Sequence, residues 1–215
     1  MKLFKYHLPL MFKLLGNQII ISLLSNMLYG TLYDIPVLLS IGTVLALGIY
    51  LYMQFHIVWE HACKETMKHP ELQNHIGSAT GLLIGFGSSI PALVFNLIPT
   101  VFPMHVTELG ELSGGISQLF YTLSKFFFNG QYVAIISSFF PIQIIDVQNN
   151  VIAAQNGANI VASVPYYTLT IIPVILICWF AYWLGLKDKS ILGWLGIEHL
   201  FKKKEKNTQK PTLKK

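Results

Sequence analysis

Four stretches of the chain stay apolar long enough to cross a bilayer, which takes about 20 mostly apolar helical residues. The first runs from Leu14 to about Leu32, behind Lys2, Lys5 and Lys13. The second, Ile35 to Phe55, has 21 residues and no charge. Asp34 is the only charge between Gly30 and Pro36, and this Gly- and Pro-bounded turn predicts an antiparallel helical hairpin. The third span starts near Ile76 and can continue to Phe102, 27 residues, so tilt or a break must absorb the excess. Pro91 inside it predicts a kink. The fourth runs from about Pro165 to Leu186, with Pro173 inside. Tyr166 and Tyr167 mark one of its ends, and Trp179, Phe180, Tyr182 and Trp183 mark the other, as interfacial aromatic belts do.

The segments between the spans are less regular. Glu60 to His75 is a polar stretch holding Glu60, His61, Lys64, Glu65, Lys68, His69, Glu71 and His75. Ile116, Leu119, Phe120, Leu123 and Phe127 recur at helical spacing, with Ser117, Gln118, Thr122 and Lys125 elsewhere on the turn, which predicts an amphipathic helix. After Asn129-Gly130, the apolar run Tyr132 to Ile145 is 14 residues long and contains Pro141. That length favours an interfacial or re-entrant piece over a crossing. Residues 146 to 160, rich in Asn and Gln, read as a solvated loop. The apolar spacing from Ser190 to Phe201 suits a short interfacial helix. The expectation is an all-α integral membrane protein with four transmembrane helices, an amphipathic or re-entrant outer segment and a short interfacial C-terminal helix. Residues 1–201 would form a single polytopic membrane domain, and 202–215 a lysine-rich disordered tail in the cytoplasm.

Composition agrees with a lipid environment. Of 215 residues, 53% are hydrophobic and only 12% are charged, against about 25% charged in a soluble domain. Mean hydropathy is +0.53. This excludes an ordinary cytosolic enzyme, a disordered chain and a disulfide-rich secreted scaffold. All 15 basic residues are lysine, and Arg is the preferred reader of phosphates and base edges, so no nucleic-acid partner is expected. With four spans, fourteen of the fifteen lysines fall on one side and Lys125 alone on the other. The positive-inside rule then puts both termini in the cytoplasm. A fifth span at about 126–145 would carry the lysine-rich tail outside. No alanine precedes Ala46, so no A-x-A site follows the first apolar run, and the N-terminus reads as an uncleaved signal anchor. Cys63 and Cys178 have no zinc-ribbon spacing, and one lies in a cytoplasmic loop and the other in an apolar segment, so no disulfide is expected.

Three groups carry candidate chemistry. Gly77, Gly81, Gly85 and Ser89 follow one another at i, i+4 steps in the third span. Small residues at that spacing let a second helix approach closely. The second helix could belong to the same chain, to a membrane protein partner or to a second copy; a close approach to a ligand is the third option. Gln18, Ser22, Ser25 and Tyr29 form a stripe on the first span, with Asn26 beside it. They suit interhelical hydrogen bonds or the lining of a polar path, since an unpaired polar group in hydrocarbon is costly. No ionisable group joins them at the membrane centre, which argues against a proton-coupled pump. His56, Glu60 and Cys63 lie on one helical face at the end of the second span, and all three are plausible zinc ligands. Polar groups also collect wherever a helix leaves the bilayer, and no H-E-x-x-H or paired C-x-x-C motif is present. His105, Glu108 and Glu111 read as parts of a solvated loop. No phosphate loop, nucleophile elbow, EF-hand or dinucleotide fingerprint appears, so no cofactor, catalytic residue or metal ligand is assigned.

The segments I-V-W-E-H-A-C-K-E, S-I-P-A-L-V-F-N-L-I-P and A-Y-W-L-G-L-K-D-K-S-I-L-G resemble those of small, uncharacterised polytopic membrane proteins of low-GC Gram-positive bacteria. The resemblance implies a bacterial plasma membrane location and brings no activity or site with it. The expected function is therefore that of a non-enzymatic accessory or assembly component. A small transporter or channel subunit is the first alternative, and a membrane-embedded metal-dependent enzyme using His56, Glu60 and Cys63 the second.

Overall fold

A computed structural model describes residues 2–32, 34–68, 79–102, 105–106, 112–113, 115–139, 143–147, 150–154 and 157–187. Gly77, His69, His75, Glu108, Glu111, the expected interfacial helix at 190–201 and the lysine-rich tail lie outside them. The protein is an all-α membrane protein with four helices long and apolar enough to cross a bilayer: Tyr6–Leu32, Val37–Met67, Ala79–Val101 and Ser163–Leu186.

Helix α1 (Lys2–Leu32) starts well before the expected span and carries the lysine-flanked N-terminus as helix, with Pro9 inside its early turns. Helix α2 (Pro36–Lys68) returns beside it. The helix therefore takes in Glu60 to Lys68, which the polar composition alone did not predict. Helix α3 (Ala79–Val101) holds Pro91 and Pro99. The fourth crossing comprises α6 (Gly157–Leu169) and α7 (Ile171–Leu186), joined at Thr170, whose backbone stays in the right-handed helical region (φ −61°, ψ −15°), so Ser163–Leu186 runs as one span. Pro165 sits inside α6, not at a helix start.

Between the third and fourth crossings lie α4 (Ile116–Phe127) and α5 (Gly130–Phe139). Two antiparallel hairpins flank the pair. One is β1 (His105–Val106) with β2 (Leu112–Ser113), and the other is β3 (Gln143–Val147) with β4 (Asn150–Ala154). The second carries a strand pair into the stretch 146–160 that reads as a solvated loop. The backbone there closes its own hydrogen bonds, pairing Gln143 with Ala154 and Val147 with Asn150, and α6 starts at Gly157.

Helix α7 lies between α2 and α3, and α1 packs against α2, α3 and α5. The core is the seam where these faces meet, with Leu14, Tyr50, Val58, Ile84, Val174, Cys178, Ala181 and Leu184 buried. Most of the remaining apolar surface points outward, including Leu24, Val37, Val44 and Leu45. In water such a surface would drive aggregation; in lipid it is solvated.

Candidate functional site

The α4–α5 pair ends in the middle of the bundle. Tyr121 of α4 meets Ser163 and Tyr167 of α6. One turn further on, Ser124 reaches Asn96 of α3, and the helix end at Phe126 to Phe128 abuts Ser22 and Gln18 of α1. Helix α5 then runs back towards Leu32 and Leu39, where α1 gives way to α2. The pair is thus a re-entrant hairpin with its tip at Phe128-Asn129-Gly130.

A helix end inside hydrocarbon must find partners for its orphan carbonyls. The polar stripe of α1 provides them. The Gln18 amide donates to the Phe128 carbonyl at 3.1 Å, and the Ser22 hydroxyl donates to the Phe126 carbonyl at 2.8 Å. Asn26 donates to the Phe126 carbonyl at 3.0 Å and to that of Lys125 at 3.3 Å. Ser22 Oγ also accepts from the Gly130 N–H at 2.6 Å. Gly130 presses so closely on the Ser22 backbone and the Asn26 amide that a Cβ there would collide with both.

A second polar knot joins the tip to Tyr167 and Thr170 of the fourth crossing. Asn96 donates to the Tyr167 carbonyl at 2.8 Å, and its Oδ1 accepts from Ser124 and, at 3.1 Å, from Asn129. Thr170 donates to Asn129 Oδ1 at 2.7 Å. Asn96, Ser124 and Asn129 are all buried. One face of the tip borders a small cavity of about 10 Å³ between α1, α2 and α5. Ser25 Oγ and Gln131 Oε1 are buried at this cavity and have no hydrogen-bond partner among the described residues.

The groups nominated by the sequence are placed as follows. Gly81 and Gly85 face α7 of the same chain. A Cβ on Gly81 would lie 2.8 Å from the Cys178 carbonyl oxygen and Trp179 Cα, and one on Gly85 would lie 2.9 Å from Ile175 Cα. Ser89 turns its hydroxyl to the Gly85 carbonyl at 2.8 Å. His56, Glu60 and Cys63 are not brought together. His56 is exposed and stacks between Tyr52 and Trp59, Glu60 pairs with Lys64 at 2.5 Å, and Cys63 is buried with its thiol 3.6 Å from the Gly185 carbonyl. Metal-ligating side chains converge elsewhere. His7 of α1 and His61 and Glu65 of α2 place one ligand atom each within 4.8 Å of one another. Sequence reasoning passed over this group because His7 is 54 positions from His61. The available signal was the i, i+4 pair of His61 and Glu65.

Compared with protein-family models, with curated proteins and with solved structures, the chain finds no match.

Proposed function

We propose that this chain is a plasma-membrane protein with both termini in the cytoplasm, working as a small transport component whose moving part is the α4–α5 hairpin. The observation that carries the reading is two buried oxygens with no hydrogen-bond partner among the described residues, Ser25 Oγ and Gln131 Oε1, beside the tip of the re-entrant hairpin. An unsatisfied polar atom in hydrocarbon is costly, and irregular backbone at that depth belongs where it is buried in protein or lines a polar path. Helix ends held inside the membrane, as at the tip of the α4–α5 hairpin, are also the construction that transporters use around substrate sites. The cavity has room for about one water. A larger polar solute therefore needs the hairpin to shift. The orientation rests on the lysines, fourteen of which the order of four spans assigns to one side.

The test uses the purified chain in proteoliposomes, following the flux of water, glycerol, urea and monovalent ions. Protein-dependent flux of at least one of them should fall severalfold in Gln131→Leu. If none crosses faster than in protein-free vesicles, the transport reading is wrong. A C-terminal reporter found on the outer face would overturn the orientation.

A second reading, an accessory component working through helix packing, is favoured by α2. Only 17% of its membrane window is buried, against 39%, 39% and 44% for the other three. On this reading the partner takes the outer half of α2 and leaves Gly81 and Gly85 to α7. A discrete stoichiometric complex, cross-linked through a cysteine placed at Val37 or Val44 of α2 but not through one placed at Leu83 of α3, would support it over transport.

A further inference from the structure

At the lysine-bearing end of the bundle, four polar side chains from three helices meet under cover. His7 is 1% exposed and Glu65 6% exposed, which is unusual for groups outside a functional or tightly paired setting. His7 Nδ1 lies 3.3 Å from His61 Nε2. The two carboxylate oxygens of Glu65 lie 4.0 Å from His7 Nε2 and 4.0 Å from His61 Nε2, too long for direct hydrogen bonds. The Tyr182 hydroxyl donates to Glu65 Oε2 at 2.7 Å, and its ring packs edge-on to His7 with centroids 6.3 Å apart.

The close packing of α7 on α2 fixes this arrangement. A Cβ on Gly185 would lie 2.6 Å from Ala62 Cβ and 2.8 Å from the Trp59 carbonyl oxygen. Only a glycine lets α7 come near enough to bring Tyr182, one turn earlier, onto Glu65. His61 is half-buried and also lines an open groove of about 350 Å³, with Tyr6, Lys13, Glu60 and Lys64 around it.

We propose that His7, His61 and Glu65 form a binding site for a divalent transition-metal cation, with a further coordination position open to the groove. Two imidazoles and a carboxylate make up a ligand set that suits zinc and also cobalt or nickel. The ligand atoms lie within 4.8 Å of one another, so modest side-chain rotations close them around an ion. The carboxylate supplies charge that a pair of neutral imidazoles lacks. Tyr182 acts through Glu65 as a positioning residue, in the way outer hydrogen bonds orient metal ligands. Glu60 and Lys64 pair with each other at the groove wall and stay outside the set. The site stands independently of any transport activity.

The experiment measures binding of Zn²⁺ and Co²⁺ to the full chain in nanodiscs by equilibrium dialysis with elemental analysis, and follows the visible absorption of bound Co²⁺. One ion per chain is expected, with the intense bands of a low-coordinate site. Affinity should fall at least a hundredfold in His7→Ala and in Glu65→Gln, and tenfold to a hundredfold in Tyr182→Phe. His56→Ala and Glu60→Gln should bind as the unaltered chain does. The Glu65→Gln variant keeps the shape of the side chain and an acceptor for Tyr182, so it separates lost ligation from lost folding. Absence of stoichiometric ion on the unaltered chain overturns the proposal. So does undiminished binding in folded His7→Ala or Glu65→Gln, or an equal loss in His56→Ala.

Discussion

Replacing Gly81 by alanine adds one methyl group where α3 has none to spare. The new Cβ would sit 2.8 Å from the Cys178 carbonyl oxygen, Trp179 Cα and Tyr182 Cβ. Ordinary contact begins near 3.4 Å, so α7 must retreat by about 0.6 Å or α3 must turn. Two of the three atoms are backbone, so a side-chain rotation cannot relieve the clash. Overpacking of this kind costs about 1–3 kcal/mol. Against it stands the gain of about 0.5–1 kcal/mol for alanine over glycine in a helix interior. The net expectation is a loss of up to about 2.5 kcal/mol. Gly48 of α2 provides the contrast, because nothing lies within 4 Å of a Cβ built there. Gly48→Ala keeps the propensity gain without the clash and should be neutral or up to about 1 kcal/mol more stable. Reversible unfolding in mixed micelles, or steric trapping in bicelles, reads both. The packing argument fails if Gly81→Ala is as stable as the unaltered chain, or if the two variants move together.

Other expectations follow from the polar interior. Ser22→Ala removes the donor to the Phe126 carbonyl and the acceptor for the Gly130 N–H. It should lower stability by about 1–3 kcal/mol, with faster amide exchange at residues 126–131 as the specific readout. Asn129→Leu strips partners from Asn96 and Thr170. It should destabilise by at least about 2 kcal/mol, and Asn96→Leu combined with it should cost less than the sum of the single changes, as a double-mutant cycle measures. Cys63 and Cys178 are buried thiols. Neither should react with an impermeant maleimide in the folded protein and both should react after denaturation in SDS, as a mass shift reports.

The four crossings were legible in the sequence because hydrocarbon imposes a length and a charge-free stretch that few other structures need. The stripe Gln18, Ser22, Ser25 and Tyr29, with Asn26 beside it, was also legible as a bundle-facing set, since such groups cannot sit in lipid alone. What it holds was not. Its partners are backbone carbonyls at Lys125, Phe126 and Phe128, about 100 positions away, and a carbonyl leaves no trace in the amino-acid code. The β3–β4 pairing was hidden by its Asn and Gln content, which favours solvated loops locally and is overruled by the backbone ladder. The grouping of His7 with His61 and Glu65 required knowing that α1 begins as early as Lys2, so that its first turns lie beside the last turns of α2. Helical spacing can align residues within one helix; it says nothing of the register between two.

Helix α4 shows how the solvent decides the meaning of a pattern. Its apolar stripe of Ile116, Leu119, Phe120, Leu123 and Phe127 would be the buried face of a helix in a soluble domain. Here Ser117, Tyr121 and Ser124 are buried and Phe120, Leu123 and Phe127 half-buried, while Ile116 is 70% and Leu119 56% exposed. The inversion has an energetic reason. Association in lipid gains little from moving a leucine out of an equally apolar medium, and gains more from contacts that satisfy polar groups and allow close backbone approach. The buried face of α4 accordingly ends in Ser124, bonded to Asn96, and the hairpin turns at the one glycine that fits beneath Ser22. The hairpin enters the bundle because its polar tip finds its partners there, on α1, α3 and the fourth crossing.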